Sequence, residues 1–215
     1  MDQNHIMKTS YSRLAGSSTE RLAALSDGVF AVAMTLLVLE LHAPVKEAIH
    51  SEADLWNAVY RMLPALAACL LTFLTLGIVW NGQQAQLERL ERSDRHLTWM
   101  FIGALFPVSI LPFSTVLLTE FIGYRIAFLF YWLNVLVLGL ALYASWSYAV
   151  RHGLVKPDTG AEVDKAIRRR IVVGQSLYAL GALLCLWSPR VSLVVFIALQ
   201  LNFAIGPRTG WLSKV

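Results

Sequence analysis

Apolar side chains fall into six long runs along the chain, at residues 22–42, 56–81, 97–118, 124–150, 170–188 and 190–206, separated by short polar stretches. Each run is near the ~20 residues a helix needs to cross ~30 Å of hydrocarbon. Barrel strands are about ten residues long and alternate strictly, a pattern not found here. The runs predict an all-α integral membrane protein with six transmembrane helices. Between the second and third runs, Glu88–Arg92 and Glu91–Arg95 stand four apart in the favourable order, so the second helix is expected to continue past its apolar part as a solvated face. Pro107 and Pro112 predict a kinked or distorted third helix whose freed carbonyls need neighbours, and Pro64 does the same near the start of the second. The first run holds no proline and a single glycine, Gly28.

Composition agrees with that reading. The 215 residues are 57% hydrophobic and 15% charged, whereas a soluble domain carries about a quarter charged residues. The net charge of +4 does not point to nucleic acid, because membrane proteins gather Lys and Arg on one side. With the N-terminus in the cytoplasm, 14 of the 18 basic residues fall on the inner side, so both termini are expected to be cytoplasmic. Residues 1–20 read as a flexible tail without the apolar core of a cleavable signal peptide. Residues 21–207 read as the membrane domain and 208–215 as a short second tail. The triplet Arg168–Arg170 reads as an anchor at the inner leaflet, with contact to anionic lipid an open alternative. Cys69 and Cys185 lie singly in apolar runs and read as buried, inert thiols rather than metal ligands.

The first helix separates its side chains by angle. At 100° per residue, Leu25, Val32, Leu36, Leu39 and Ala43 share a narrow apolar stripe with Thr35 on its flank. Such a stripe faces lipid or protein core in most membrane helices, and a pore is the less common alternative. Asp27 points to roughly the opposite side, where lipid would be intolerable, so it is expected to turn into its own bundle and find donors. The end of the second run, with Trp80, Asn81, Gln83 and Gln84, comes to the same depth, and Arg21 and His96 lie nearby. These residues predict a polar clamp around Ser26 and Asp27.

The stretch Arg21-Leu-Ala-Ala-Leu25-Ser26-Asp27 resembles the Arg-x-x-x-Phe-Ser-Asp motif of the transmembrane-protein-175 family, with Leu25 where Phe is usual. The continuation "DGVFAVAMTLLVLEL", the "WNGQQ" ending the second run and "LFPVSILPFSTVLL" in the third are similar to the family as well. Gln83 and Gln84 stand where the family usually has a His pair, and glutamine hydrogen-bonds without titrating near neutral pH. The resemblance implies a potassium channel in the plasma membrane of a prokaryote, assembled as a homotetramer with the first helices lining a central pore. It places the pore constriction at Val32, Leu36 and Leu39, the same residues as the stripe, and a K⁺-selecting layer at Thr35. K⁺ is then the permeating ion, no cofactor is expected, and the partners are K⁺, membrane lipid and further copies of the chain.

Two rival classes are weighed against this. An enzyme is disfavoured: no Gly-x-Ser-x-Gly, His-Glu-x-x-His or paired intramembrane carboxylates occur, and all five histidines lie in the tail, at helix ends or in linkers. A secondary transporter, or another cation- or proton-permeable protein, is the stronger alternative, but broken helices in corresponding halves and polar midplane groups are not evident.

Overall fold

The computed structural model describes residues 18–205. They form six α-helices in chain order: α1 (Thr19–Leu39), α2 (Glu52–Leu87), α3 (Arg95–Glu120), α4 (Arg125–Arg151), α5 (Ala161–Leu183) and α6 (Pro189–Ile205). Five are long and apolar enough to cross a membrane, and α6, at 17 residues, is the short one. The tails expected at 1–20 and 208–215 lie outside the described residues, except that helix α1 already begins at Thr19.

Local chemistry sets the helix ends. Ser18, Ser51 and Asp94 each cap a helix N-terminus, accepting from the backbone N–H of Arg21, Asp54 and Leu97 respectively. At the end of α4 the chain turns at Gly153, whose φ of +63° suits a residue without Cβ. The Gly153 N–H bonds back to the Val150 carbonyl and the Leu154 N–H to that of Ala149. Leu154 then accepts from the Glu91 N–H, and Lys156 donates to the Arg89 carbonyl, which ties the α2–α3 linker to the α4–α5 linker.

Three expectations need correction. Helix α2 does run past residue 81, but it stops at Leu87, so Glu88–Arg92 and Glu91–Arg95 do not lie on a helix. Buried Leu90 is drawn onto Val155 instead, and Arg89 reaches Asp158 at 4.0 Å. Helix α5 starts nine residues before the expected 170, placing Arg168–Arg170 within it; Arg168 turns back to Asp164 one turn earlier, at 2.7 Å. Helix α1 ends at Leu39, so Ala43 drops off the apolar stripe. Helix α3 runs unbroken through Pro107 and Pro112, both of them buried.

Successive helices run antiparallel. Cys69 of α2 meets the Leu37 carbonyl near the end of α1, Asn134 of α4 donates to Ser114 of α3 at 3.0 Å, and Gln175 of α5 donates to the Val135 carbonyl of α4. Helices α3 and α4 form the middle of the bundle, with α1 against α2 and α3, and α5 and α6 against α4 and α2. Leu71, Leu111, Phe128, Tyr131, Leu138 and Phe196 fill the centre with at most 1% exposure. Among them runs a buried polar chain. Thr115 bonds Thr72 at 2.6 Å, Tyr131 bonds Thr75 at 2.8 Å, and the Gln200 amide of α6 donates to Thr75. Thr75 donates to the Leu71 carbonyl one turn earlier, and whichever of Thr72 and Thr115 accepts their shared bond donates to a carbonyl of its own helix, so their polarity is absorbed inside the protein as a low-dielectric setting demands.

Around this core the surface is apolar, with aromatic residues toward both ends. Trp56, Tyr60, Tyr124 and Trp187 are exposed toward one, Trp80 and Trp99 toward the other, which is where amphipathic rings settle at membrane–water boundaries. Helix α2 is 36 residues long, about 54 Å, and extends beyond a ~30 Å hydrocarbon layer. No residue from Glu52 to Ala67 is buried.

Because Thr75 serves Tyr131 and Gln200 together, Thr75→Val takes the acceptor from the Gln200 amide and leaves Tyr131 with the longer contact to Thr72 at 3.4 Å. It should lower the stability of the detergent-purified protein by about 1–3 kcal/mol. Thr119→Val should change it far less, since the Thr119 hydroxyl bonds only the Val116 carbonyl of its own helix. Thermal unfolding of the two variants side by side checks this.

Candidate functional site

Helix α1 touches the bundle along one arc only. Leu22, Ser26, Phe30, Ala33 and Leu37 are buried, at the 3–4-residue spacing of a single helix face. Consecutive residues point about 100° apart, so with Ser26 on the buried arc, Asp27 falls past its edge. The Gln83 amide of α2 donates to the Ser26 hydroxyl at 3.1 Å, in a fully buried pair. Asp27 is exposed at the side of the bundle, where its carboxylate accepts from the Trp80 indole N–H at 2.8 Å and from the Gln84 amide. This corrects the expectation that Asp27 turns into the bundle: Ser26 does so, and Asp27 is satisfied at the seam between α1 and α2.

The structure thus brings Ser26, Asp27, Trp80, Gln83 and Gln84 together and leaves out three candidates. Arg21 and Asn81 are exposed, and neither side chain bonds the cluster. The His96 ring faces α4 instead, 6.4 Å from that of Tyr148. Tyr148 donates to Asp94, the residue that caps α3. That link was missed because nothing local in the sequence pairs positions 94 and 148.

The opposite side of α1 is open. Val32, Leu36 and Leu39 are exposed by 57, 41 and 69%, and Leu25 and Thr35 are exposed too. Thr35 donates its hydroxyl proton to the Val32 carbonyl at 2.8 Å, leaving the hydroxyl oxygen available as an acceptor. The helix is unbroken here, so its carbonyls stay engaged in the helix. The open face is also wider than the stripe. Ala24, Gly28, Ala31 and Thr35 continue around it toward Asp27, a run of small residues at helical spacing that permits close approach of another helix. Leu25, Gly28, Val32, Leu36 and Ser109 line a shallow groove where α1 meets α3. The small residues are legible in the sequence as a helical repeat, but small side chains carry no hydropathy signal to mark them.

Similarity to known proteins bears on this arrangement. Residues 21–112, which span α1, α2 and much of α3, match the family described as endosomal/lysosomal potassium channel TMEM175. A potassium channel of Streptomyces collinus is 32% identical over 165 residues, covering 74% of this chain and 79% of that one. A potassium channel of Chamaesiphon minutus is 30% identical over 195 residues, 88% of this chain and 95% of that one.

The chain belongs to the TMEM175 family.

The crystal structure of a lysosomal potassium-selective TMEM175 homologue from Chamaesiphon minutus superposes with a TM-score of 0.74 at 27% identity, over 87% of this chain and 96% of that one. TMEM175 proteins are ion channels rather than enzymes. In this member the Ser26–Asp27 cluster joins the first two helices of the matched region, and the open face of α1 lies just beyond it.

Trp80→Phe and Gln84→Leu should each lower stability by about 0.5–1.5 kcal/mol, little for a charged acceptor because the site is solvent-exposed. Each cost should shrink when Asp27 is already Asn. A double-mutant cycle on thermal unfolding reads this coupling, and additive costs would break the link between Asp27 and α2.

Proposed function

We propose that this chain forms a K⁺ channel whose pore is enclosed by the exposed faces of α1 from four copies. The observation that carries the reading is the exposure of Val32, Thr35, Leu36 and Leu39 on a helix whose other face is buried. The centre of one bundle is closed by Leu71, Leu111, Tyr131 and Leu138, so ions pass between copies rather than through one. A single six-helix subunit offers one such stripe, and several copies are needed to surround an axis. The basic residues gather where α1, α3 and α5 begin and α2 and α4 end, which supports cytoplasmic termini by the positive-inside rule.

In this reading Val32, Leu36 and Leu39 form stacked apolar rings. A narrow apolar constriction sheds its water and blocks ions until it widens. The rings hold no charge, so the K⁺ preference rests on Thr35, whose hydroxyl oxygen coordinates the ion directly or through a held water. The Ser26–Asp27 cluster keeps α1 in register against α2, so that these four side chains present to the axis together. All six helices are continuous among the described residues, which favours a channel over a transporter built on broken helices.

Reconstitution in planar bilayers tests the reading. The wild type should carry more current under a K⁺ than a Na⁺ gradient. Leu36→Ala and Val32→Ala should raise conductance severalfold, and Thr35→Val should lower the K⁺ over Na⁺ permeability ratio severalfold. Absence of K⁺ current in every form would overturn the channel. Unchanged currents in the Val32 and Leu36 variants would overturn the pore assignment alone.

A further inference from the structure

Arg21 was expected in the Ser26–Asp27 cluster and stands on a different side of α1. It is exposed and makes no ion pair among the described residues. Its backbone N–H goes to the Ser18 hydroxyl at 3.2 Å.

The helix repeat shows which face the residue occupies. Arg21 and Leu39 are 18 residues apart, five full turns at about 3.6 residues per turn. At about 100° per residue, Gly28, Val32 and Leu39 fall within about 20° of Arg21, and Thr35 within about 40°. All of them are exposed. Ser26, on the buried arc, lies about 140° away. Helix α1 is continuous from Thr19 to Leu39 and holds no proline, so this relation persists along its length. Arg21 therefore begins the face that Val32, Thr35 and Leu39 continue.

The residue also goes against the local chemistry of a helix start. With Ser18 as the N-cap, Arg21 is the third residue of the helix, where a capping box places Glu or Gln. A helix N-terminus carries about half a positive charge, which disfavours a cation in the first turn. Glu20, which suits that end, points about 100° round the helix from Arg21, toward the Asp27 side. A basic residue at the inner end of a span satisfies the positive-inside rule at any angle. That rule leaves the angle of Arg21 unexplained.

We infer that Arg21 gives K⁺ passage a direction. In the four-copy channel proposed above, on which this inference rests, the four Arg21 side chains form a cationic ring at the inner mouth. The ring stands about 16 Å before Val32 along the helix. Together with the four helix N-termini it repels K⁺ arriving from the cytosol, over a Debye length of about 10 Å at 0.1 M salt. K⁺ arriving from the outer side meets Leu39 first and enters without that barrier. Inward flow is favoured over outward flow, and the cause is charge at the mouth rather than the apolar rings or Thr35.

Inside-out patches from giant spheroplasts of an expressing bacterium hold the channel in one orientation and test this. With about 0.1 M K⁺ on both sides, Arg21→Gln should raise outward current about twofold and change inward current far less. Arg21→Lys, which keeps the charge and alters the group, should restore the wild-type asymmetry. The gain in Arg21→Gln should disappear in about 1 M K⁺, where the Debye length falls to about 3 Å. Arg169→Gln, the same charge change at an exposed position of α5, should leave both currents unchanged. Unchanged outward current in Arg21→Gln would overturn the ring. So would a gain that Arg21→Lys shares, that survives 1 M K⁺, or that Arg169→Gln reproduces. Val32→Ala and Leu36→Ala, recorded in the same patches, separate this inference from the reading beneath it. If they alter the current and Arg21→Gln does not, the pore stands and the ring falls. If none of the three alters it, the pore assignment itself falls.

Discussion

The hydrogen bonds at Ser26 and Asp27 are the interactions on which the placement of α1 rests. A carboxylate on a membrane helix has few tolerable neighbours, and Trp80 and Gln84 of α2 supply two donors at one oxygen. One residue earlier, Ser26 takes the Gln83 amide on the buried arc. Adjacent residues point about 100° apart, so this pair of anchors defines both the rotation of α1 about its axis and its height against α2. Once the rotation is set, Phe30, Ala33 and Leu37 enter the core, and Val32, Leu36 and Leu39 have nowhere to go but outward. The exposure of the stripe follows from a polar requirement one to three turns away.

Legibility in the sequence followed the range of each interaction. Six helices were readable because a bilayer imposes a length that composition alone reveals, whereas the caps at Ser18, Ser51 and Asp94 start α1, α2 and α3 ahead of the apolar runs at 22, 56 and 97. The angular relation between the stripe and Asp27 is likewise a property of one helix. What turned out differently depended on contacts between distant segments. Helix α2 stops at Leu87 because Leu90 is drawn onto Val155, and no periodicity near residue 90 announces that partner. Helix α5 reaches back to Ala161, where Asp164 receives Arg168 and the Trp146 indole together, whereas hydropathy begins to rise only near residue 170. The inward turn expected of Asp27 missed because a carboxylate avoids lipid equally well at a seam between two helices as inside a bundle.

The fold is unevenly anchored, and that asymmetry bears on how a pore could change width. Helices α2, α3, α4 and α6 are cross-linked in the buried interior by the Thr72, Thr75, Thr115, Tyr131 and Gln200 bonds, each made where an alternative partner is scarce. Helix α1 contributes no side chain to that chain. Among the described residues, apart from the Cys69 contact to the Leu37 carbonyl, its polar attachments to the rest of the subunit are confined to residues 26 and 27, in the first half of the helix. Beyond them, toward Leu39, it is held by apolar packing and that single weak thiol contact. Apolar contacts are non-directional and yield to small rotations that would break a hydrogen bond outright. Thr35, Leu36 and Leu39 therefore lie on the compliant part of a helix whose other end is fixed, so a modest tilt about the Ser26–Asp27 anchor moves Leu39 furthest and Val32 least. In the proposed pore, a constriction built this way would widen from its Leu39 side while the hydrogen-bonded interior of the subunit stayed as it is.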